Sequence, residues 1–211
     1  MLGAHQLHEA LHERRPANKI ATLGEMSCNP AIGGLGKGQM VREIDALDGV
    51  MGRVADKAGI QFRVLNRSKG PAVQGPRCQA DRKLYREAMR NALFEQENLE
   101  IAEGGIENLE SLDCGTFRIT DEKEKQHYAR AVIVCSGTFL NGLMHTGEEK
   151  TIGGRYGEPP AVGLSNALKN MGFKLERLKT GTPARLSSKT IKWHELDSQE
   201  GDDPPEPFSS M

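Results

Sequence analysis

The chain has 211 residues, of which 37% are hydrophobic, and a formal net charge of −1 at pH 7. No apolar run approaches the roughly 18 residues that a transmembrane helix needs, so the sequence predicts no membrane span. The near-neutral charge excludes a strongly basic protein that binds nucleic acid over its whole surface.

The four cysteines predict free thiols in a reducing compartment. They form neither a C-x-x-C pair nor the spacing of a zinc finger, and the sequence predicts no metal site. The cysteines are Cys28, Cys78, Cys114 and Cys135.

Residues 27–38 form a glycine-rich loop in front of an amphipathic run, with four glycines at 33, 34, 36 and 38. Glycine backbone can approach a ligand closely, and a helix that begins there directs free N–H groups at the loop. The loop is not a Walker A motif, since Ala31 and Gly38 stand where glycine and serine or threonine are needed. Gln39 likewise breaks a Rossmann fingerprint. A helix-capping turn without a ligand is the alternative interpretation.

The following periodicities predict an α/β chain. Apolar residues at spacings of three and four from Met40 to Ala58 predict one helix with a buried stripe. A second helix is predicted over 79–96 and a third over 161–171. Strands are predicted over 60–64, 99–102, 116–120, 129–134 and 174–178.

Residues 53–90 carry ten lysines and arginines but only three acids. Within the second predicted helix, Arg82, Arg86 and Arg90 follow one another at intervals of four and share one face. The pattern fits a phosphate-binding stripe, and it fits equally a solvated face whose arginines pair with nearby acids such as Asp81 and Glu87.

Several blocks occur in the order found in one known family. The sequence resembles the large flavoprotein subunit of the tRNA wobble-uridine modification enzyme, from the glucose-inhibited division protein A family. That family has bacterial and mitochondrial members. The blocks are residues 22–38, 41–47, 66–73, 79–82, 136–140, 154–160 and 177–183.

The resemblance implies a partial doubly wound FAD-binding domain of the glutathione-reductase type, with antiparallel strands inserted near residues 100–134. We expect this domain over 20–183, and an exposed arm or the start of an insertion domain over 184–211. Residues 1–19 match nothing in the family pattern and are expected to be a polar tail. Because no glycine fingerprint precedes Cys28, we expect a truncated chain, whose own activity is not implied.

The resemblance also implies the chemistry of the full-length family. It uses FAD, with NADH and methylene-tetrahydrofolate as co-substrates, to add an aminomethyl-type group to carbon 5 of the wobble uridine. The implied partners are tRNA, a GTPase bound through a region absent here, and a second copy of the same chain. The implied compartment is the bacterial cytoplasm or, alternatively, the mitochondrial matrix.

Site residues follow by position. Cys28 is the expected nucleophile, since a nearby helix N-terminus lowers the pKa of a thiol; a buried structural cysteine is the alternative. The nucleic-acid contacts would be Arg82, Arg86 and Arg90. The expected cofactor-binding residues are Asn29, Gly33, Gly34, Ile106, Gly137, Thr138 and Ala161.

Two other functions compete with this one. The chain could be a non-catalytic remnant that binds tRNA or a partner, or another FAD- or NAD-dependent oxidoreductase with the same scaffold.

Overall fold

The structure is a computed structural model that describes residues 20–26, 29–184 and 186–211. Contacts divide the chain into two compact units. Of the described residues, unit 1 comprises 20–23 and 93–177, and unit 2 comprises 24–26, 29–92, 178–184 and 186–211. The predicted tail over 1–19 and Cys28 lie outside the described residues. Within those residues, no helix combines the length and hydrophobicity needed to cross a membrane.

Four α-helices and eight short strands make up the described fold, which confirms the α/β class. The helices are α1 (Lys37–Asp45), α2 (Val50–Ala58), α3 (Arg82–Phe94) and α4 (Gly163–Asn170). The strands are β1 (Ala31–Gly33), β2 (Gly59–Leu65), β3 (Gly75–Ala80), β4 (Ile106–Ser111), β5 (Phe117–Asp121), β6 (Gln126–Ala129), β7 (Leu143–Thr146) and β8 (Glu149–Ile152).

Unit 2 is built on an antiparallel sheet with strand order β1-β3-β2. Cys78 on the central strand pairs with Ile32 on one side and Phe62 on the other. Helices α1 and α2 pack against this sheet, which buries Val54, Ala55 and Cys78. The backbone of β1 therefore leads straight from the sheet into the glycine loop and α1.

The prediction of one helix with a buried stripe from Met40 to Ala58 is wrong in two respects. The chain breaks between α1 and α2, where Gly49 is extended (φ −72°, ψ 143°) and Asp48 has a φ of +65°. Val54 and Ala58 of the stripe are buried, but Met40 is 57% exposed and Leu47 is 85% exposed. Because of this break, α1 and α2 pack differently. The apolar residues of the two helices follow one periodicity in the sequence but differ in burial.

Unit 1 contains the antiparallel sheet β4-β5-β6 and a separate hairpin, β7-β8. Helix α4 packs on β4, and its Leu164 and Ala167 form a core cluster with Leu109. Strands β4, β5 and β6 lie in the region near residues 100–134 where the sequence predicts inserted antiparallel strands, and that prediction is confirmed.

The strand predicted over 129–134 is wrong beyond its first residue. Strand β6 ends at Ala129, and residues 131–134 form no strand. Instead Val132 and Val134 pack as partly buried side chains against the cluster around Leu109. A parallel strand pairs with parallel neighbours, whereas all the paired strands that the described residues form are antiparallel.

We call residues 198–211 the C-terminal strap. They belong to unit 2 by their contacts, although residues 184–211 were expected to be an exposed arm or the start of an insertion domain. Before the strap, Leu186 and Trp193 are 72% and 63% exposed. Within the strap, Phe208 is only 2% exposed. The strap thus contributes a large core side chain to unit 2.

Candidate cofactor-binding site

Part of the glycine loop presents bare backbone. Gly34 and Gly36 have φ values of +99° and +71°, a region that favours glycine. A Cβ on Gly36 would meet nothing within 4 Å, and a Cβ on Gly34 would meet only Arg77 Cδ at 3.9 Å. Gly36 is the N-cap of α1, and no side chain caps that helix. An open glycine surface at an uncapped helix N-terminus suits a phosphate or another electron-rich group.

The other two loop glycines serve internal packing. A Cβ on Gly33 would lie 2.3 Å from the Pro76 carbonyl oxygen and 2.6 Å from Phe208 Cζ. A Cβ on Gly38 would lie 2.3 Å from the same carbonyl oxygen. These contacts fit the capping-turn alternative, so the loop divides into a packed half and an open half.

The backbone of the loop is fixed by two hydrogen bonds. The N–H of Gly34 donates to the carbonyl of Pro76 (2.8 Å), and the N–H of Gly38 donates to the carbonyl of Gly34 (2.8 Å). Asn29, just before β1, accepts a hydrogen bond at Oδ1 from Gln79 Nε2 (3.4 Å). The open half of the loop is therefore held in position before any ligand arrives.

In unit 1, Gly137 has a φ of +52° and nothing within 4 Å of its Cβ position. The Thr138 hydroxyl donates to the carbonyl of Gly154 (2.7 Å), so it is engaged within the chain. In this turn, Gly137 therefore has open space beside its α-carbon, whereas the hydroxyl of Thr138 is already bonded.

The two remaining predicted cofactor positions are held by unit 1 itself. The N–H of Ala161 donates to the Phe139 carbonyl (2.8 Å), and its own carbonyl accepts from the Asn141 N–H (3.2 Å). Ile106 lies on β4 and packs against the Leu109 cluster. At Ile106 the packing explains an apolar side chain, and at Ala161 both main-chain groups are engaged within unit 1.

Two arginines of the predicted phosphate stripe bind one carboxylate. Glu25 accepts from Arg82 Nη2 at Oε1 (3.0 Å) and from Arg86 Nη1 at Oε2 (2.9 Å). Arg90 lies one turn further along α3 and is partly buried. The acid that pairs with the stripe is therefore Glu25. Sequence reasoning named Asp81 and Glu87 instead, because it considered neighbours along the helix.

The described cysteines differ in their chemistry. Cys78 is buried, and desolvation together with the nearby Asp56 carboxylate raises the pKa of its thiol to about 11. Cys114 is exposed, and a hydrogen bond from Thr116 lowers the pKa of its thiol. No cluster of metal-binding side chains occurs within the described residues.

Sequence reasoning did not predict the contacts that hold the strap. The carboxylate of Asp56 accepts hydrogen bonds from the backbone N–H groups of Phe208 and Ser209, both at 2.8 Å. Asp45 Oδ2 accepts from the N–H of Ser210 (2.9 Å). The available signal was one aromatic residue in an otherwise polar, proline-rich segment.

A sequence model described as "Glucose inhibited division protein A" matches residues 5–211. The chain belongs to the glucose inhibited division protein A family. The match begins at residue 5, so the statement that residues 1–19 match nothing in this family is wrong.

Relatives of this family member are much longer. The tRNA uridine 5-carboxymethylaminomethyl modification enzyme MnmG of Granulibacter bethesdensis is 50% identical over 92% of this chain, which covers 31% of that protein. The enzyme of the same name from Rhodopirellula baltica is 48% identical over 91% of this chain, again covering 31% of the relative. The chain thus spans about a third of the length of these relatives.

Solved structures give the same relationship. Two crystal forms of Aquifex aeolicus GidA match 90% of this chain. The identity is 47% and the TM-score is 0.83. The chain covers 32% of that structure. The fold described above therefore corresponds to one part of a larger GidA fold.

Proposed function

We propose that this chain forms part of the flavin-binding domain of a tRNA uridine 5-carboxymethylaminomethyl modification enzyme. The observation that carries the proposal is the near 50% identity, over more than nine-tenths of the chain, to two relatives with that name. The chain spans about a third of the length of those relatives. We therefore propose the activity for a whole enzyme, of which this chain would form one part.

The open backbone at Gly34 and Gly36 would bind an electron-rich part of FAD. The positive partial charge at the N-terminus of α1 favours such a group, and the absence of side chains leaves room for it. We leave Gly33 out of this surface, because Phe208 and Pro76 fill the space beside its α-carbon. Gly137 stays a candidate FAD contact from the family resemblance alone. Bound FAD would supply the redox chemistry.

Cys28 remains the proposed nucleophile toward carbon 6 of the uridine. Addition there makes carbon 5 nucleophilic, and a thiolate suits this role. Cys78 is unsuited to it, because a thiol with a pKa raised to about 11 is protonated at neutral pH.

The remaining parts of the proposal concern co-substrates and partners. NADH would supply reducing equivalents, methylene-tetrahydrofolate the one-carbon unit, and tRNA the uridine. The GTPase partner, the homodimer and the compartment, whether bacterial cytoplasm or mitochondrial matrix, are proposed from the family resemblance. Arg82, Arg86 and Arg90 would contact tRNA phosphates if these arginines exchange their contacts within the chain for phosphate.

An FAD titration followed by flavin fluorescence tests the proposal. Gly36→Ala fills the open face beside α1, and we expect it to weaken FAD binding strongly. Gly115→Ala is the matched control, because Gly115 also has a positive φ (+75°) and nothing within 4 Å of its Cβ position. Equal FAD affinity in the two variants would remove the loop from the cofactor site.

A second candidate, the non-catalytic remnant, is favoured by one observation. Phe208 fills the face of Gly33, one of the residues expected to contact FAD. A protein that binds no FAD at all in this titration but still binds tRNA would support the remnant and contradict the flavoprotein assignment.

A further inference from the structure

The C-terminal strap contacts the glycine loop and α1 at three points along the chain. The ring of Phe208 lies over the α-carbon of Gly33, where a Cβ would lie 2.6 Å from Phe208 Cζ. Near the middle of α1, Arg42 Nη2 donates to Glu206 Oε2 (3.3 Å), but both side chains are about half exposed and the pair contributes little stability. The third contact is at the last residue of α1. The strap therefore reaches both ends of the element that presents the open glycine backbone.

The third contact involves a buried carboxylate. Asp45 is 3% exposed, and its Oδ2 accepts a hydrogen bond from the backbone N–H of Ser210 (2.9 Å). A Cβ on Gly52 of α2 would lie 2.9 Å from Asp45 Oδ1, and this oxygen has no hydrogen-bond partner among the described residues. Because a buried carboxylate that loses a donor is strongly unfavourable, Asp45 favours the docked position of the strap.

Helix α2 holds the adjacent part of the strap. Asp56 accepts hydrogen bonds from the backbone N–H groups of Phe208 and Ser209, both at 2.8 Å. Three successive amides of the strap thus donate to two carboxylates, one from each helix. Because α1 and α2 also pack against each other and on β3, the docked strap fixes the position of α1 relative to the sheet.

The strap does not cover the open half of the loop. A Cβ on Gly36 would meet nothing among the described residues within 4 Å, and a Cβ on Gly34 would meet only one arginine side-chain carbon at 3.9 Å. Phe208 instead packs on Gly33, next to the Pro76 carbonyl that accepts the N–H of Gly34. A docked strap is therefore compatible with a ligand on the open half, and it supports the hydrogen bond that fixes this half.

We propose that the strap is a positioning element for FAD, with Phe208 as its main positioning residue. The strap holds the glycine loop and α1 in the geometry that binds the cofactor, so that strap docking and FAD binding reinforce each other. The physical reason is preorganisation, since a loop that is already ordered costs less to bind. The inference rests on the proposed function, because it assumes that FAD binds at Gly34 and Gly36.

An FAD titration of Phe208→Ala tests the proposal, at a temperature at which circular dichroism shows the variant to be folded. We expect FAD to bind about fivefold or more weakly, the lower end of typical coupling between sites. Phe208→Leu keeps a large apolar side chain and should restore most of the affinity. Met89→Ala is the matched control, because Met89 is a core residue of unit 2 on α3 (8% exposed), and this variant should lose stability but keep the wild-type FAD affinity.

Amide exchange of the wild-type chain provides a second readout that needs no variant. The coupling between two sites is reciprocal, so FAD must stabilise the docked strap if the strap favours FAD. Exchange of the Ser209 and Ser210 amides, which donate to Asp56 and Asp45, should therefore slow when FAD is saturating. This measurement decides the question even if Phe208→Ala does not fold.

The possible failures are distinguishable. Unchanged FAD affinity in Phe208→Ala, or an equal loss in Met89→Ala, would overturn the inference and leave the proposed function intact. Tighter FAD binding by Phe208→Ala, or faster exchange of the strap amides with FAD, would show that the strap competes with the cofactor and would also overturn it. A wild-type chain that binds no FAD would contradict the proposed function and this inference together.

Discussion

The ring of Phe208 lies directly over the α-carbon of Gly33, so that a methyl group on Gly33 would lie 2.6 Å from Phe208 Cζ. Residues far apart in the sequence thereby close one side of unit 2. The strap is held in this position by the carboxylate of Asp56, which accepts from two successive backbone N–H groups. The packing of Gly33 is thus a property of the strap as much as of the loop.

We expect Phe208→Ala to destabilise the protein by about 3–5 kcal/mol, the range for truncation of a buried phenylalanine. Urea unfolding measures this change. Trp193→Ala is the control, because Trp193 is 63% exposed and its loss should cost no more than about 0.5 kcal/mol. Similar losses in the two variants would show that Phe208 is not part of the core.

Gly33→Ala and Gly36→Ala should differ in stability, although both residues have a positive φ (+82° and +71°). The left-handed conformation alone costs a residue with a side chain about 1–2 kcal/mol. Gly33→Ala also places a methyl group 2.3 Å from the Pro76 carbonyl, whereas Gly36→Ala meets nothing within 4 Å. Thermal unfolding should therefore show a clearly larger loss for Gly33→Ala, and equal losses would contradict the packing described here.

The sequence predicted the elements that depend on local pattern. Strand β2 and helix α3 lie where alternation and helical periodicity placed them. Strand β3 was missed because it begins with Gly75 and Pro76, which are typical of loops. Pro76 is tolerated there because it lies near the start of the strand, where it pairs with Val64 and its carbonyl accepts from Gly34.

The site was less predictable, because its two halves are distinguished by distant residues. No local pattern separates Gly33 from Gly36; only the positions of Phe208 and Pro76 do so. In the same way, the partner of Arg82 and Arg86 is Glu25, which lies outside their helix. Periodicity identifies a face of a helix but not what covers it.

We expect Glu25→Gln to increase the affinity for tRNA if the proposed function is correct. The change removes the carboxylate that engages Arg82 and Arg86. Arg82 keeps its hydrogen bond to the Met26 carbonyl, and Arg86 becomes available to phosphates. Each added phosphate contact should steepen the salt dependence of binding by about 0.7–0.9 logarithmic units. Filter binding at several salt concentrations measures this effect.

Glu87→Gln is the control for that experiment. Glu87 is on the same helix but makes only a loose 3.9 Å pair with Lys83. An unchanged affinity in Glu25→Gln, or an equal increase in both variants, would contradict a specific role for these arginines.

Alkylation should distinguish Cys114 from Cys78, because the pKa values of their thiols are shifted in opposite directions. The hydrogen bond from Thr116 lowers the pKa of Cys114 below its ordinary value of 9.0, so more thiolate is present at any pH below that value. Iodoacetamide at pH 8 should therefore modify Cys114 first and leave buried Cys78 intact, as followed by peptide mass spectrometry. Thr116→Val should shift the pH profile of Cys114 upward; a profile that does not move would contradict the role of this hydrogen bond.

The attachment of the strap should weaken in acid. A hydrogen bond from Arg67 lowers the pKa of Asp202 below its ordinary value of 3.8, and Asp202 also accepts from the backbone N–H of Val64 (2.7 Å). The sign follows from linkage: the ionised carboxylate stabilises the fold fully above pH 3.8, and this stabilisation is lost as the pH falls through the lower folded pKa.

Amide exchange of Val64 checks this prediction. Exchange relative to the intrinsic rate should increase below pH 3.8 in the wild-type chain. In Asp202→Asn, which has no carboxylate to protonate, protection should be lower throughout and nearly independent of pH. Identical pH profiles in the two proteins would show that Asp202 does not control the strap.

The strap also has a consequence for the order of folding during synthesis. The ribosome makes the sheet and helices of unit 2 early, but the residues that cover Gly33 emerge only after residues 93–177 of unit 1. Until then the space beside Gly33 is open and Asp56 lacks its two amide partners. A nascent chain therefore exposes an incomplete unit 2 while unit 1 is being translated, and this interval is when chaperones would engage it.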